Sequence, residues 1–336
     1  MCSLFVRFRS GQMIAFMIRR LAQALIVIFI ISLIGFAIKQ SVGDPVRELT
    51  GISVSAEERQ EFREKLGLND PWYIQYGRFL GNALQGDLGT SFFYKRPATE
   101  VILEKAPATL ELVFVSSLII ILFSVPLGVF SAIRPDHFFS RLLMGGSIVG
   151  VSIPVFLTAI MMVYIFSIKL GWFPSYGRGE LVMLGGWGTG LLTVDGWMHI
   201  LMPSVALSSI MLPLFIRLIR AEMMEVLESE YIKYAWAKGL SSGRVWFVHA
   251  FKNTLLPVIT VGGVQLGVTI AFTILTETVF QWQGLGFMFM EAVERSDAPL
   301  LVAYLMFVGV VMVGVNTIVD LIYGLVNPTI RIAGVK

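Results

Sequence analysis

The sequence predicts an all-α integral membrane protein, with six membrane-crossing helices and a helical segment outside the membrane between the first two. Three observations carry that expectation. The 336 residues are 56% hydrophobic and 15% charged, whereas an average soluble domain is about 25% charged. Six stretches are long and apolar enough to cross a bilayer, which takes about 20 residues. Arginine and lysine gather on one set of the flanks between those stretches, the pattern that marks a cytoplasmic side. Lipid cannot hydrogen-bond an open backbone, so apolar runs of this length cross as helices.

The spans are expected at residues 14–38, 110–132, 142–168, 200–218, 255–280 and 300–325, each nearly free of internal charge. Residues 1–13 form a basic cytoplasmic extension with Arg7 and Arg9, and Arg19 and Arg20 follow. The first apolar run is too long for the core of a signal peptide, so it reads as an uncleaved span. Met17 would itself be a sensible start. Arg134 and Arg141 flank the turn between spans two and three, and Arg331 and Lys336 close the tail. The loop after span four carries Arg220, Lys233, Lys238, Arg244 and Lys252, opposed by Glu222, Glu225, Glu228 and Glu230. Residues 171–199 and 281–299 offer one arginine each. Both termini are therefore expected inside.

Residues 39–109 form the one large external segment. In "SAEERQEFREKLGL", Ser55 and Glu58 stand at capping-box spacing, with Phe62 and Leu66 at helical spacing behind them. "PWYIQYGRFLGNAL" opens a second amphipathic helix on Pro71. "GDLGTS", residues 86–91, reads as a turn. The segment is either a cap on the bundle or a docking surface, and composition favours the cap.

The cytoplasmic block 219–254 is polar although it lies between long apolar stretches. Residues 231–240 favour a helix that stops at Gly239. Tyr231, Tyr234 and Trp236 interleave there with Lys233 and Lys238, and a second short amphipathic run, 245–252, enters span five near Pro257. Such a pair suits an interfacial anchor and equally a plug for another protein's groove.

Several chemistries are excluded. No Gly-Lys pair occurs, so there is no phosphate-binding loop of the G-x-x-x-x-G-K-[ST] kind. H-E-x-x-H does not occur. His137, His199 and His249 are scattered over different loops, and Cys2 is the one cysteine, so no metal, cofactor or disulfide is expected. A net charge of +3 is too small to suggest nucleic acid. The acidic span residues, Glu111, Glu277 and Asp320, all lie toward span ends, whereas an ion-driven carrier keeps such groups at mid-membrane. A transporter with neither ATP site nor ion relay takes its energy from another subunit. An ion-driven carrier and a membrane scaffold or enzyme are the competing classes.

The block "EYIKYAWAKGLSSGRVWFVHAFKNTLLPVITVGGVQLG" closely resembles the cytoplasmic loop of permease subunits in binding-protein-dependent ABC importers of the dipeptide, oligopeptide and nickel type. The resemblance runs in order from "GDP" at 43–45 through "LGLNDPWYIQYGRFL", "GDLGTSF", "PATLEL", "SIPVF", "LGWFPSYG", "LMPSVAL" and "ETVFQWQGLG" to "NPTIR". It points to the first of the two permease types, which carries the large periplasmic segment. Lys233 and Tyr234 replace the first two letters of the family's E-A-A segment, as is usual in the peptide-type subfamily, while Ala235 and Gly239 match. Val42 and Gln283 stand where prolines are frequent.

The resemblance implies a type I permease bundle with its core at 110–325, in a bacterial inner membrane. It implies a second homologous permease, two ATP-binding subunits and a periplasmic or lipid-anchored substrate-binding protein as partners, with membrane lipid around them. Hydrolysis of ATP then resides on the partners, and this chain is no enzyme. Tyr231, Tyr234, Ala235, Trp236, Ala237, Lys238, Gly239 and Leu240 become ATPase-coupling residues, although Trp236 also suits the lipid interface. Ser152, Pro154 and Phe156 become pore candidates, with a plain structural kink as the competing reading. Peptides are the expected cargo and a nickel complex is the alternative.

Overall fold

The computed structural model describes residues 10–41, 56–65 and 68–326. Two compact units divide the chain: Met1–Thr99 with Ser296–Lys336, and Glu100–Arg295. The Ser55 cap, Leu66, the "GDP" and "NPTIR" segments and Arg331 lie outside the described residues, as do the side chains of Phe62 and Asp320.

In the first unit, helix α1 (Ser10–Ser41) packs along the last helix of the chain, Ala298–Val326. α2 (Ala56–Lys65) and α3 (Trp72–Leu84) lie between them in sequence. Pro71 caps α3, because its fixed φ suits a helix entry and its missing N–H would have had no partner there. Phe36, Phe79 and Val302 form a buried cluster, and the Ser32 and Tyr76 hydroxyls meet at 2.7 Å. The turn at 86–91 has left-handed Gly86 and Gly89. Behind it, buried Asp297 accepts from Ser91 Oγ at 2.5 Å and from Phe93 N at 3.1 Å. Its other oxygen accepts from Leu300 N at 3.3 Å, so one carboxylate pins the loop and caps the final helix.

The second unit takes in α4 (Ala98–Ile133) from Glu100 onward. The apolar stretch alone predicted 110–132. The helix starts twelve residues earlier and runs straight through Pro107. Burial explains the extension: Ala106, Ala108 and Leu112 are all in the core. At 1.5 Å per residue its 36 residues reach roughly 54 Å, well beyond a hydrocarbon core of about 30 Å.

The expected continuous span at 142–168 is instead two helices, α5 (Phe138–Ser152) and α6 (Val155–Lys169), bent by 102°. Pro154 lacks the N–H needed to continue α5 and drives Ile153 into an extended conformation, φ −88 and ψ 122. The last seven residues of α6, Val163–Lys169, are π-wound. A short hairpin follows, β1 (Val182–Leu184) paired antiparallel with β2 (Trp187–Thr189).

α7 (Val194–Leu227) then runs past the expected 200–218 at both ends, opened by Thr193, whose Oγ1 accepts from Gly196 N at 2.9 Å. His199 therefore sits in a helix rather than a loop. α8 (Glu230–Ala237) is short. α9 (Ser242–Val279) contains a π-wound stretch, Val245–Ala250. α10 (Leu285–Glu294) closes the second unit, and the final described helix, Ala298–Val326, is α11 of the first unit. α7 packs against α5, α6 and α9. It crosses α4 so closely that a Cβ on Gly128 would lie 2.8 Å from Ile219. The described residues thus hold five helices that qualify as spans, and six when α5 and α6 count as one broken span. Their outward faces are apolar, as at Leu118, Ile121 and Leu122 of α4, which suits lipid rather than water.

Candidate functional site

α8 is the element on which the predicted coupling residues fall. Ser229 enters it in an extended conformation. Its first turn has Glu230 beside Lys233, paired at 2.7 Å on the surface. Ile232 and Ala235, three residues apart, share one helix face and are both buried. They pack in a cluster with Ile219 and Met223 of α7 and Val245 and Ala250 of α9. The short helix is therefore held by an apolar seat rather than by its own length, which is far too small for independent stability.

The end of α8 is a Schellman motif. Gly239 N donates to Trp236 O at 2.9 Å, and Leu240 N donates to Ala235 O at 3.4 Å. Gly239 has φ +72, the left-handed conformation that glycine adopts without strain. Half-buried Leu240 packs into the same cluster as Ala235, supplying the apolar contact that accompanies the motif.

The eight predicted residues are brought together but do not share one face. Ala235 points into the protein and serves as part of the seat. Tyr234 is 61% exposed, with Ala237 and Lys238 also outward and the Lys238 ammonium 4.5 Å from the Tyr234 ring centre. Tyr231 and Trp236 flank the seat, and the Tyr231 hydroxyl accepts from Asn253 Nδ2 at 2.7 Å. The result is a rigid outward surface of aromatic rings, a small alanine and a lysine. That combination suits contact with a protein groove.

Ser152, Pro154 and Phe156 sit at the break between α5 and α6. Ser152 Oγ donates to Ile148 O at 3.0 Å, spending its hydrogen on its own helix. Pro154 is the N-cap of α6. Phe156 is 46% exposed while neighbouring Val155 is buried. α6 packs against α7 and α9, so the break borders the helices that carry the α8 seat.

A buried polar cluster was not foreseen. Arg178 donates to Glu111 Oε2 at 3.0 Å and to Gly188 O at 2.8 Å, and Trp187 Nε1 donates to Glu111 Oε1 at 3.1 Å. Both charges are almost fully buried. Beside them, Thr109 Oγ1 donates to Glu277 Oε1 at 2.6 Å and accepts from Leu285 N at 2.7 Å. Glu277 Oε2 accepts from Phe287 N at 3.0 Å. Arg178 also lies 5.4 Å over the ring of buried Trp282. These groups fasten the hairpin and α10 to α4. Glu111 and Glu277 were visible as charges near span ends, but their partners lie as far as 168 residues away in sequence and no local pattern points to them. Among the described residues no group of three or more histidine, cysteine or carboxylate side chains could hold a metal ion.

Comparison with known proteins fits this architecture. Residues 124–332 match the family described as binding-protein-dependent transport system inner membrane component, and residues 13–113 match the N-terminal region of such membrane components. The chain is 36% identical over 333 residues to the di/tripeptide transport system permease protein DppB of Pseudomonas aeruginosa, covering 95% of this chain and 99% of the relative. It is 35% identical over 321 residues to the oligopeptide transport system permease protein AppB of Bacillus subtilis, covering 95% and 100%. The glutathione transport system permease protein GsiC of Escherichia coli is 31% identical over 320 residues, covering 95% and 99%. A chain from a structure of the MetNI methionine ABC transporter in inward facing conformations superposes with a TM-score of 0.55 at 15% identity, over 68% of this chain and 96% of that one. That last likeness is one of fold. A broken-span helical bundle, matched along its length by transport permeases, places the chain in the family of binding-protein-dependent transport system inner membrane components.

Proposed function

We propose that the chain is one of two related permease subunits in an ATP-driven importer of di- and oligopeptides. The observation that carries this reading is α8: a short helix with an outward aromatic face, seated rigidly on two spans, in a chain without a phosphate-binding loop. The cargo class rests on the relatives, whose names specify di- and tripeptides, oligopeptides and glutathione. The remaining partners are two ATPase subunits and an external binding protein. Closure of the ATPases on ATP displaces α8. Because Ile232 and Ala235 are packed against both α7 and α9, the displacement reaches the spans as a rigid-body motion, and access alternates between the two sides. The chain itself forms and breaks no covalent bond.

The basic flanks support an orientation with both termini and α8 inside and residues 39–107 outside. Single cysteines at Gln60 and Ser242, both exposed, in a Cys2→Ser background should react with a membrane-impermeant maleimide from opposite sides of the bilayer. Labelling of both from one side would end this topology.

The α5–α6 break is the candidate substrate path. Uptake of labelled peptides of two to five residues tests both the cargo and the path. The assembled transporter should take up peptides, and Ser152→Trp should cut uptake of the longer ones by about tenfold, a loss of roughly 1.4 kcal/mol in the limiting step. Unchanged uptake at every length would remove Ser152 from the path, while failure of the unmodified transporter to take up any peptide would remove the cargo assignment.

A further inference from the structure

The end of α4 carries a cleft that neither α8 nor the helix break uses. Its volume is about 410 Å³, within the range of small-ligand sites. Val125, Pro126 and Phe130 of α4 form one wall, and Trp246 and Phe247 from the π-wound stretch of α9 form the other. Arg134 also lines it and is the one charged residue among the described residues that do so. Phe130 and Trp246 are held by their neighbours. Phe130 is held edge-to-face by His137 at 5.4 Å and by Phe139 at 5.8 Å, and His137 Nδ1 accepts from Phe139 N at 3.2 Å. Trp246 packs into the cluster around buried Val129.

Arg134 follows the final residue of a membrane-spanning helix, Ile133, so it stands at the boundary between hydrocarbon and water. The nearest acid in sequence, Asp136, is paired with Arg141 at 3.4 Å. Among the described residues no acid pairs with the Arg134 guanidinium. An apolar cleft at the end of a membrane-spanning helix, with one unpaired cation at its polar end, matches a ligand that is apolar along its length and anionic at its head.

We propose that this cleft binds an anionic phospholipid, with an acyl chain against the apolar walls and its phosphate on Arg134. A guanidinium can present two parallel N–H groups to a phosphate, Trp246 is a ring type that settles at headgroup depth, and Phe247 adds apolar wall. Trp246 shares its cluster with Ile232 and Ala235. A bound lipid therefore braces the seat of α8, and the lipid surroundings tune how firmly that helix is held. The binding does not depend on the transport reading. The orientation proposed above only assigns it to the cytoplasmic leaflet.

The test is native mass spectrometry of the purified protein in detergent with added phosphatidylglycerol, phosphatidylcholine or inorganic phosphate. The protein should retain phosphatidylglycerol about fivefold over phosphatidylcholine, the preference expected for one basic residue at an anionic surface. Arg134→Gln, at an exposed position, should erase that preference, and Val125→Trp should fill the cleft and lower retention of both lipids. Equal retention by the unmodified protein, or a preference that survives Arg134→Gln, would overturn the proposal. Competition by inorganic phosphate at equal concentration would identify a free anion as the occupant and also overturn it. So would a cysteine at Phe247 that cross-links to another protein subunit in the assembled transporter, since a protein would then cover the cleft.

Discussion

Gly239→Glu leaves the permease in the membrane and lowers ATP-driven uptake by at least about tenfold, an effect that needs only about 1.4 kcal/mol of lost coupling. The position explains the outcome. Gly239 adopts φ +72 at the end of α8, where a side chain costs of order 1–3 kcal/mol in backbone strain. A Cβ built there meets nothing within 4 Å in this chain, so no clash inside the permease adds to that strain. Gly239→Ala isolates it, and should weaken the helix stop slightly while preserving most uptake. Glutamate adds a charge and a long side chain at the surface proposed to enter an ATPase groove. Separation of the two variants is the informative result. Measured by co-purification of the ATPase subunits and by peptide uptake, the alanine variant should stay close to the unmodified protein and the glutamate variant should lose both. Normal co-purification and uptake in Gly239→Glu would remove the residue from the coupling surface.

Arg178→Met destabilises the protein by about 3–5 kcal/mol, because it strands the buried Glu111 carboxylate without its cation. Glu111 and Arg178 are 3.0 Å apart with side chains 3% and 11% exposed, so solvent screens the pair little. The change also removes the donor to Gly188 O, loosening the hairpin. Replacing both partners tells pairing from packing. The double variant Glu111→Gln, Arg178→Met should recover part of the loss, since the Glu111 carboxylate is then no longer left without its cation. Thermal unfolding in lipid nanodiscs reads the difference. Equal stability of Arg178→Met and the unmodified protein would mean that the pair is not buried inside the folded protein.

The spans were legible in the sequence because hydrocarbon imposes a long run of apolar residues, and little else produces one. Their ends were not. α7 continues through Arg220 and Glu222, where packing against α9 and α8 holds the helix after its hydropathy has failed. α4 likewise continues through Pro107. The break in the third span was signalled by Pro154, although a proline alone does not fix a bend of 102°. The hairpin escaped notice because its strands are three residues each, too short for alternation to register.

The segment proposed to couple was the most legible part of the candidate site. A run of helix formers closed by Gly239 specified both α8 and its stop. Which of its residues face outward was not legible, because a helix of eight residues shows too few turns for its buried side to be read. Ala235 therefore looked like a contact for a partner, while its contacts lie within the chain. The Glu111–Arg178 pair was invisible for a different reason: its members meet only after the bundle has formed.

The central claim is that this chain moves substrate only under power supplied by other subunits. The direct measurement is uptake of a labelled dipeptide into liposomes that contain the purified chain alone, then with the second permease, the ATPase subunits and the loaded external binding protein added in turn. Uptake should be absent until the set is complete and ATP is present, and ATP hydrolysis should rise when loaded binding protein is added. Uptake by the single chain, driven by an ion gradient or by none, would contradict both the assembly and the energy source.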